Sequence, residues 1–351
     1  ALKLDPGNTA KPYSAVRWEP PLFPESQIMI AGLVSIVICA YNNWPDVEMT
    51  IESALNQSHH PVEVIVVDNC SMDATPEEVP ERFCPPVRYV RQRNKNYAGA
   101  CNTGFDLASG EFIQFVAGDD VLAPNKIEKQ VEILHANPDL DIVYGDVRMF
   151  QTLAGVANWT DVESKPELDY LKAFIHTDKQ WTGITALGML FHRKAIEKVG
   201  PWDESMYVED LDYWLRATWA GCHFGYCAGS PMGFVRLWPG QKTKNKFAMS
   251  RGMESVWDKA LGYITLEPYR SLIAEKLAKA RFYMAVSRRQ MNISEALEKL
   301  ALARANSPKK VSALAYAFGY AAIILPGGSF LMRSQFLRPV RRLLARLLHY
   351  V

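Results

Sequence analysis

The chain has 351 residues, 48% of them hydrophobic and 22% charged, with 21 Gly and 21 Pro. This excludes disorder, a collagen-like repeat and a small disulfide scaffold, and at roughly 100 to 200 residues per domain it predicts two domains. Lys and Arg number 39 against 38 Asp and Glu, a net charge of +1 that gives no bulk attraction to nucleic acid.

Residues 1–30 are polar and Pro-rich and lack the basic-then-apolar order of a secretory signal, so they are expected to form an N-terminal arm over the following domain. From Leu33 the pattern becomes strand, helix, strand. Val34 to Ala40 is a near-continuous apolar run, as a parallel strand buried on both faces requires. Asp46 to Leu55 reads as a helix and Val62 to Val67 as a strand. Val87 to Val90, Gly99 to Leu107 and Phe112 to Val116 repeat the order of strand, helix and strand. The alternation predicts a mostly parallel α/β sheet with right-handed crossovers, whose ligand sits at the carboxyl ends of the strands. Those ends carry Ala40-Tyr41-Asn42, Asp68-Asn69 and Gly118-Asp119-Asp120, small or polar residues at one edge of an apolar sheet.

The second half is less regular until Pro268, after which Ser271 to Val286 and Ile293 to Ala305 read as helices. Between Lys310 and Arg333 lie 22 residues without a charge, broken by Pro326-Gly327-Gly328, which argues against one spanning helix. Beyond Glu298 there are nine basic residues and no acidic one, leaving residues 1–298 at −8. In the tail, Val340, Leu343, Leu344, Leu347, Leu348 and Val351 fall on one helix face beside Arg341, Arg342 and Arg346. That composition fits either a helix in an anionic membrane interface or one docked on the protein itself. The six cysteines form no C-x-x-C pair and read as free thiols of a reducing cytoplasm, and no H-E-x-x-H zinc motif occurs.

Three segments carry the chemistry. Asp119 and Asp120 follow a buried strand and offer hard oxygen ligands to a divalent cation, or else cap the helix expected near Pro124. Asp68 offers an acceptor for a pyrimidine N–H. Asn94, Asn96, Gly99 and Ala100 lie at a helix N-terminus, which favours a diphosphate. Trp181 and Gly183 mix a ring with a small residue, suited to a sugar face, while a loop entering the strand at Met189 is the plainer reading. In Glu209-Asp210-Leu211-Asp212, Asp212 and Arg216 are helix neighbours suited to a simple ion pair. Lys242, Lys244 and Lys246 form a basic stretch open to two readings, a solvated loop or one that closes on a diphosphate.

Val34 to Asn42, Val64 to Asp73, Asn102-Thr103-Gly104 and Ala108 to Ile113 resemble, in order and spacing, the family 2 glycosyltransferases of the GT-A fold, from about Leu33 to about Trp238. The resemblance implies an inverting transferase acting on a nucleotide diphosphate sugar, with UDP the expected nucleotide and polysaccharide or glycoconjugate the product. It places Ala40, Tyr41, Asn42 and Asp68 on the nucleoside, Asp119 and Asp120 at a Mn²⁺ or Mg²⁺ with the diphosphate, and Asp210 as general base with Glu209 beside it. Trp181 and Gly183 fall to the acceptor, either a saccharide or a lipid-linked sugar. Ala117 and Trp238 stand where many relatives carry an Asp and a His at the metal, which keeps open a non-catalytic nucleotide- or sugar-binding module. A dinucleotide-dependent oxidoreductase is disfavoured by the missing G-x-G-x-x-G turn, and a nucleotidyltransferase by Tyr41-Asn42-Asn43 after the first strand. The expected organisation is an arm at 1–30, a GT-A domain at 31–240, a helical region at 241–310 and an apolar, basic tail at 311–351. The expected location is the cytoplasm, with the tail at the inner face of the cell membrane.

Overall fold

A computed structural model describes residues 29–93, 96–151, 185–287 and 292–308, with positions 175, 311, 316, 317, 320 and 323. Nearly all of the expected arm and tail lie outside these residues. The chain divides into two compact units: Ala1–Leu171 with Trp181–Glu204 and Tyr213–Arg236, and Lys172–Gln180 with Ser205–Asp212 and Leu237–Val351.

The first unit is α/β, as the alternating pattern predicts. In chain order it contains β1 (Ile30–Ala40), α1 (Asp46–Leu55), β2 (Val62–Asp68), α2 (Thr75–Phe83), β3 (Arg88–Arg91), α3 (Asn96–Leu107), β4 (Gly110–Ala117) and β5 (Val121–Leu122). There follow α4 (Lys126–Ala136), β6 (Ile142–Gly145), β7 (Val147–Phe150), β8 (Met189–His192), α5 (Arg193–Val199), α6 (Glu209–Trp219), β9 (Phe224–Cys227) and β10 (Gly233–Arg236). The first turn of α6, Glu209 to Asp212, is counted with the second unit. The seven-stranded sheet has the order β3-β2-β1-β4-β8-β6-β9, and β5-β10-β7 form a smaller one. β1, β2, β3 and β4 run parallel, whereas β8 runs antiparallel to both β4 and β6.

The apolar run of β1 is buried from Val34 to Ala40 because helices cover both faces. Ile36, Ile38 and Ala40 share one cluster with Val47 and Ile51 of α1 and Ile127 of α4. Val37 points to the other face, against Gly104 of α3. At about 1.5 to 3 kcal/mol for each fully buried Val or Ile side chain, this central strand anchors the layers. The chain steps from β1 outward through β2 to β3 and then returns to the other side of β1 as β4. Neighbouring connections therefore leave in opposite directions between β1 and β4, opening a crevice at their carboxyl ends. There Gly118 N–H donates to Cys39 O at 2.9 Å, and a Cβ at 118 would lie 2.9 Å from Asn43 Oδ1 and 3.2 Å from Ala40 Cα, a close approach that glycine makes without displacing its neighbours.

A second internal device is the buried Lys126, whose ammonium donates to Gln114 Oε1, Gln130 Oε1 and Met189 O. Three acceptors match its three N–H groups, and the two glutamine amides in turn hold the carbonyls of Ala186, Val143 and Gly188. Burial pulls this amine well below its ordinary range.

The second unit is helical: a short 3-10 turn at Lys242–Lys244, α7 (Lys246–Tyr263), α8 (Tyr269–Ser287) and α9 (Ile293–Asn306). Ala278, Phe282 and Ala285 of α8 pack against Ala296, Leu300 and Ala303 of α9. Arg281 ties the three helices, donating to Glu254 Oε1 at 3.0 Å, Asp258 Oδ1 at 2.7 Å and Asn306 Oδ1 at 2.6 Å, while Lys299 also reaches Glu254. No described helix is long and apolar enough to cross a membrane.

Candidate active site

The carboxyl ends of β1 and β2 are knitted by side-chain caps on backbone N–H groups. Asn43 Oδ1 accepts from Tyr41 N (2.7 Å), Ser71 Oγ from Asn42 N (2.9 Å), Asn42 Oδ1 from Met72 N (2.8 Å) and Asp73 Oδ2 from Trp44 N (2.8 Å). These bonds hold turns of unusual backbone. Among the described residues the non-glycine positions with positive φ are Asn42 (52°), Cys70 (65°) and Asn96 (62°), all at this edge of the sheet. Such conformations cost of order 1–3 kcal/mol each and cluster where function dictates the backbone.

Tyr41, 49% exposed, directly follows β1 at this edge. Asn96 opens α3: its Oδ1 accepts from Gly99 N, its Nδ2 donates to Glu204 O, and its own carbonyl accepts from Asn69 Nδ2 at 2.7 Å. Gly99 and Ala100 are buried near the amino terminus of α3, at the positive end of its dipole. Asn94 lies outside the described residues, as do Trp181 and Gly183.

Asp68 is wholly buried and its carboxylate is enclosed by protein donors. Oδ1 accepts from Ser71 N (2.9 Å) and Ser71 Oγ (2.5 Å), and Oδ2 accepts from Tyr89 OH (2.8 Å) and faces Arg91 Nε at 3.4 Å. Burial first, and then the adjacent carboxylate, hold the Tyr89 phenol above its usual range, so it stays a donor. Neither Tyr89, within the expected strand Val87 to Val90, nor Arg91 stands out in the sequence as a site residue. They reach Asp68 through the register that sets Asp68 beside Arg91 on neighbouring strands, and nothing local in the sequence signals such a pairing.

Asp119 and Asp120 follow β4. The helix expected near Pro124 begins at Lys126 with Asn125 at its cap position, so it starts beyond the two aspartates. Asp120 Oδ1 accepts from Arg236 N at 3.0 Å, and the Arg236 side chain pairs with Asp46 in the first turn of α1. Burial, followed by the Asp119 charge, raises Asp120 well above the ordinary carboxylate range, against the lowering effect of the Arg236 N–H. Two hard-oxygen donors whose mutual repulsion a cation would relieve fit a divalent ion completed by ligand oxygens. Among the described residues no group of three or more His, Cys, Asp or Glu side chains forms a metal site by itself.

The first turn of α6, in the second unit, carries the other carboxylates. Glu209 Oε2 accepts from Lys242 Nζ at 2.5 Å, and that ammonium also lies 4.7 Å from the Tyr207 ring centre. Lys242 thus sits in a 3-10 turn on defined partners. Asp210 Oδ1 accepts from Leu211 N at 2.7 Å. Burial raises both Glu209 and Asp210, and the Lys242 charge opposes the shift in each. Asp212 pairs with Lys259 of α7 at 2.8 Å, while Arg216 donates to Val199 O at 3.2 Å. In the first unit, the body of α6 is fixed by a stack of Tyr213 on Trp202, ring centres 4.3 Å apart.

The first unit therefore gathers Ala40, Tyr41, Asn42, Asp68, Asn96, Gly99, Ala100, Asp119 and Asp120 at one sheet edge, and the second carries Glu209 and Asp210. The sequence model of "Glycosyl transferase family 2" matches residues 35–200. The succinoglycan biosynthesis protein ExoO of Rhizobium meliloti is 32% identical over 209 residues, covering 56% of this chain and 58% of that protein. The chain thus spans little more than half the length of such curated relatives. TarS of S. aureus superposes with a TM-score of 0.61 at 15% identity, over 83% of this chain and 54% of that one. TarS 1–349 in complex with UDP-GlcNAc gives 0.57 at 14%, over 83% and 90%. The mannosyltransferase PcManGT from Pyrobaculum calidifontis, in complex with GDP-Man and Mn²⁺, gives 0.50 at 16%, over 95% and 88%. At such identities these structures establish the shared fold, a mostly parallel sheet flanked by helices.

Proposed function

From the match of residues 35–200 to glycosyl transferase family 2, we propose that the chain is a member of that family and moves a sugar, with inversion, from a nucleotide diphosphate to an acceptor hydroxyl during polysaccharide or glycoconjugate synthesis. The observation that carries the reading is the strand edge itself. Tyr41 and Asn42 after β1, the amino-terminal turn of α3 and the Asp119–Asp120 pair after β4 lie along the carboxyl edge of neighbouring parallel strands. UDP is the proposed nucleotide, in keeping with the UDP-GlcNAc bound by TarS. A domain at 31–240 with a helical region at 241–310 remains the proposed organisation.

Displacement at an anomeric carbon needs a base on the incoming hydroxyl and charge compensation on the departing diphosphate. Asp210 is the proposed base, and its burial strengthens it as a proton acceptor. Glu209, neutralised by Lys242, stands beside it. On the leaving group, the amino terminus of α3 with its helix dipole and the ring of Tyr41 are the proposed elements that orient the nucleotide. Asp119 and Asp120 are the residues proposed to hold Mn²⁺ or Mg²⁺, which when bound supplies compensation for the diphosphate charge. Trp181 and Gly183 keep the acceptor role on sequence grounds.

A panel of nucleotide sugars, assayed for slow hydrolysis and for thermal stabilisation with Mg²⁺ or Mn²⁺, tests the reading. Stabilisation and turnover with one donor support it, stabilisation without turnover by any donor favours the binding module, and neither effect refutes it. The tail at 311–351 is proposed to bring the enzyme to a lipid-linked acceptor at an anionic membrane. Flotation with anionic vesicles at low salt, lost on deleting 333–351, supports this, and failure to float refutes it.

A further inference from the structure

We propose that Asp68 is a positioning residue that acts on the nucleotide through Arg91 and the Ser71 turn, and that it makes no direct contact with the base. The inference rests on the reading of this strand edge as a nucleotide-diphosphate site. An ionised carboxylate offers about four lone-pair positions, and those of Asp68 meet Ser71 N, Ser71 Oγ, Tyr89 OH and Arg91 Nε. Its side chain has no exposed surface, so a base would have to displace one of these donors to reach it.

What Asp68 controls lies one step outward. Ser71 Oγ, bound to Asp68, is also the acceptor that holds Asn42 N–H, and thus the backbone of the Tyr41–Asn42 turn. Arg91 faces Asp68 and donates through Nη2 to Ser71 O at 2.8 Å, while its side chain stays 46% exposed. The buried carboxylate therefore fixes a half-exposed guanidinium and the turn bearing Tyr41 as one unit. A fixed donor of this kind suits a ligand rich in acceptor oxygens, such as the carbonyls of a base or the hydroxyls of a ribose. Removing the negative charge at 68 should free Arg91 and loosen the Tyr41–Asn42 turn together.

Calorimetry of the full chain with UDP, GDP, CDP and ADP identifies the nucleotides it binds, on each of which Asp68→Asn, Arg91→Gln and the double variant are then compared. Each single substitution should weaken binding by about tenfold, and the double should be no weaker than about either single, as expected for residues on one path. With the sugar donor, KM should rise more than kcat falls. Tyr89→Phe, which removes one donor and leaves the carboxylate in place, should weaken the same nucleotides less and covers the case in which Asp68→Asn fails to fold. Additive losses would overturn the proposal, as would an unaffected Arg91→Gln, and so would an Asp68→Asn loss confined to uracil among nucleotides that the unaltered protein binds. Failure of the unaltered protein to bind any of the four would overturn the nucleotide-site reading itself, and this inference with it.

Discussion

Gly104 is where helix α3 meets the central strand, and Gly104→Ala tests the packing that holds the diphosphate end of the crevice. A Cβ at 104 would lie 2.1 Å from Val37 Cγ1 and 3.0 Å from its Cγ2. Val37 is fully buried and β-branched, so its methyl groups have no rotamer free to withdraw into. Overpacking of this kind costs about 1–3 kcal/mol, while alanine is favoured over glycine in a helix by up to about 1 kcal/mol. The net expectation is a loss of about 1–2 kcal/mol, or roughly 2–8 °C in Tm for a domain of this size. Thermal unfolding checks the single variant, and Val37→Ala in the Gly104→Ala background should recover part of the loss, because the removed methyls are those that clash. Nucleotide affinity should fall with the single variant and return with the double, since α3 carries Asn96, Gly99 and Ala100. An unchanged or raised Tm for Gly104→Ala, or a double variant as unstable as the summed singles, would refute the argument.

Asp210→Asn keeps the side-chain shape and removes the base, so kcat should fall by roughly a hundredfold or more while nucleotide binding survives. Because burial raises the Asp210 carboxyl, the acid limb of the kcat profile should lie above the pH of an ordinary aspartate, activity appearing as pH rises through the folded value. A limb at or below that pH would count against Asp210. Asp119→Ala should weaken nucleotide-diphosphate binding in Mn²⁺ far more than in chelator, and equal affinity in both would mean metal-free binding. Arg281→Met leaves Asp258 and Asn306 without their donor and Glu254 with Lys299 alone. Loss of one partner from a buried ion pair costs about 3–5 kcal/mol, and the retained Lys299 should keep the loss near the lower figure in chemical denaturation.

The class of fold, and the sheet edge that carries the candidate site, were legible in the residues alone. A strand buried on both faces must be apolar throughout, and a crossover helix must follow it, so Val34–Ala40 and its successors declare a parallel sheet without reference to any contact. The polar ends at Ala40–Asn42, Asp68 and Asp119–Asp120 follow from the same rule, because side chains leaving such a strand meet solvent or ligand. The capping alternative for the aspartates was a local reading, and the extra residues of the β5 turn removed it by starting α4 later. How each carboxylate is used depends on partners that only folding brings together. Asp68 looks available in sequence but is enclosed by Tyr89 and Arg91, which arrive from a neighbouring strand by register. Asp212, set beside Arg216 by helix spacing, also meets Lys259 of α7, which no local pattern announces. Asp120 takes the N–H of Arg236 from a strand more than a hundred residues away. A carboxylate's role depends on which donors lie within about 3 Å of it, and at that range the partners are brought by the folded backbone, whereas periodicity records only which face of an element is buried.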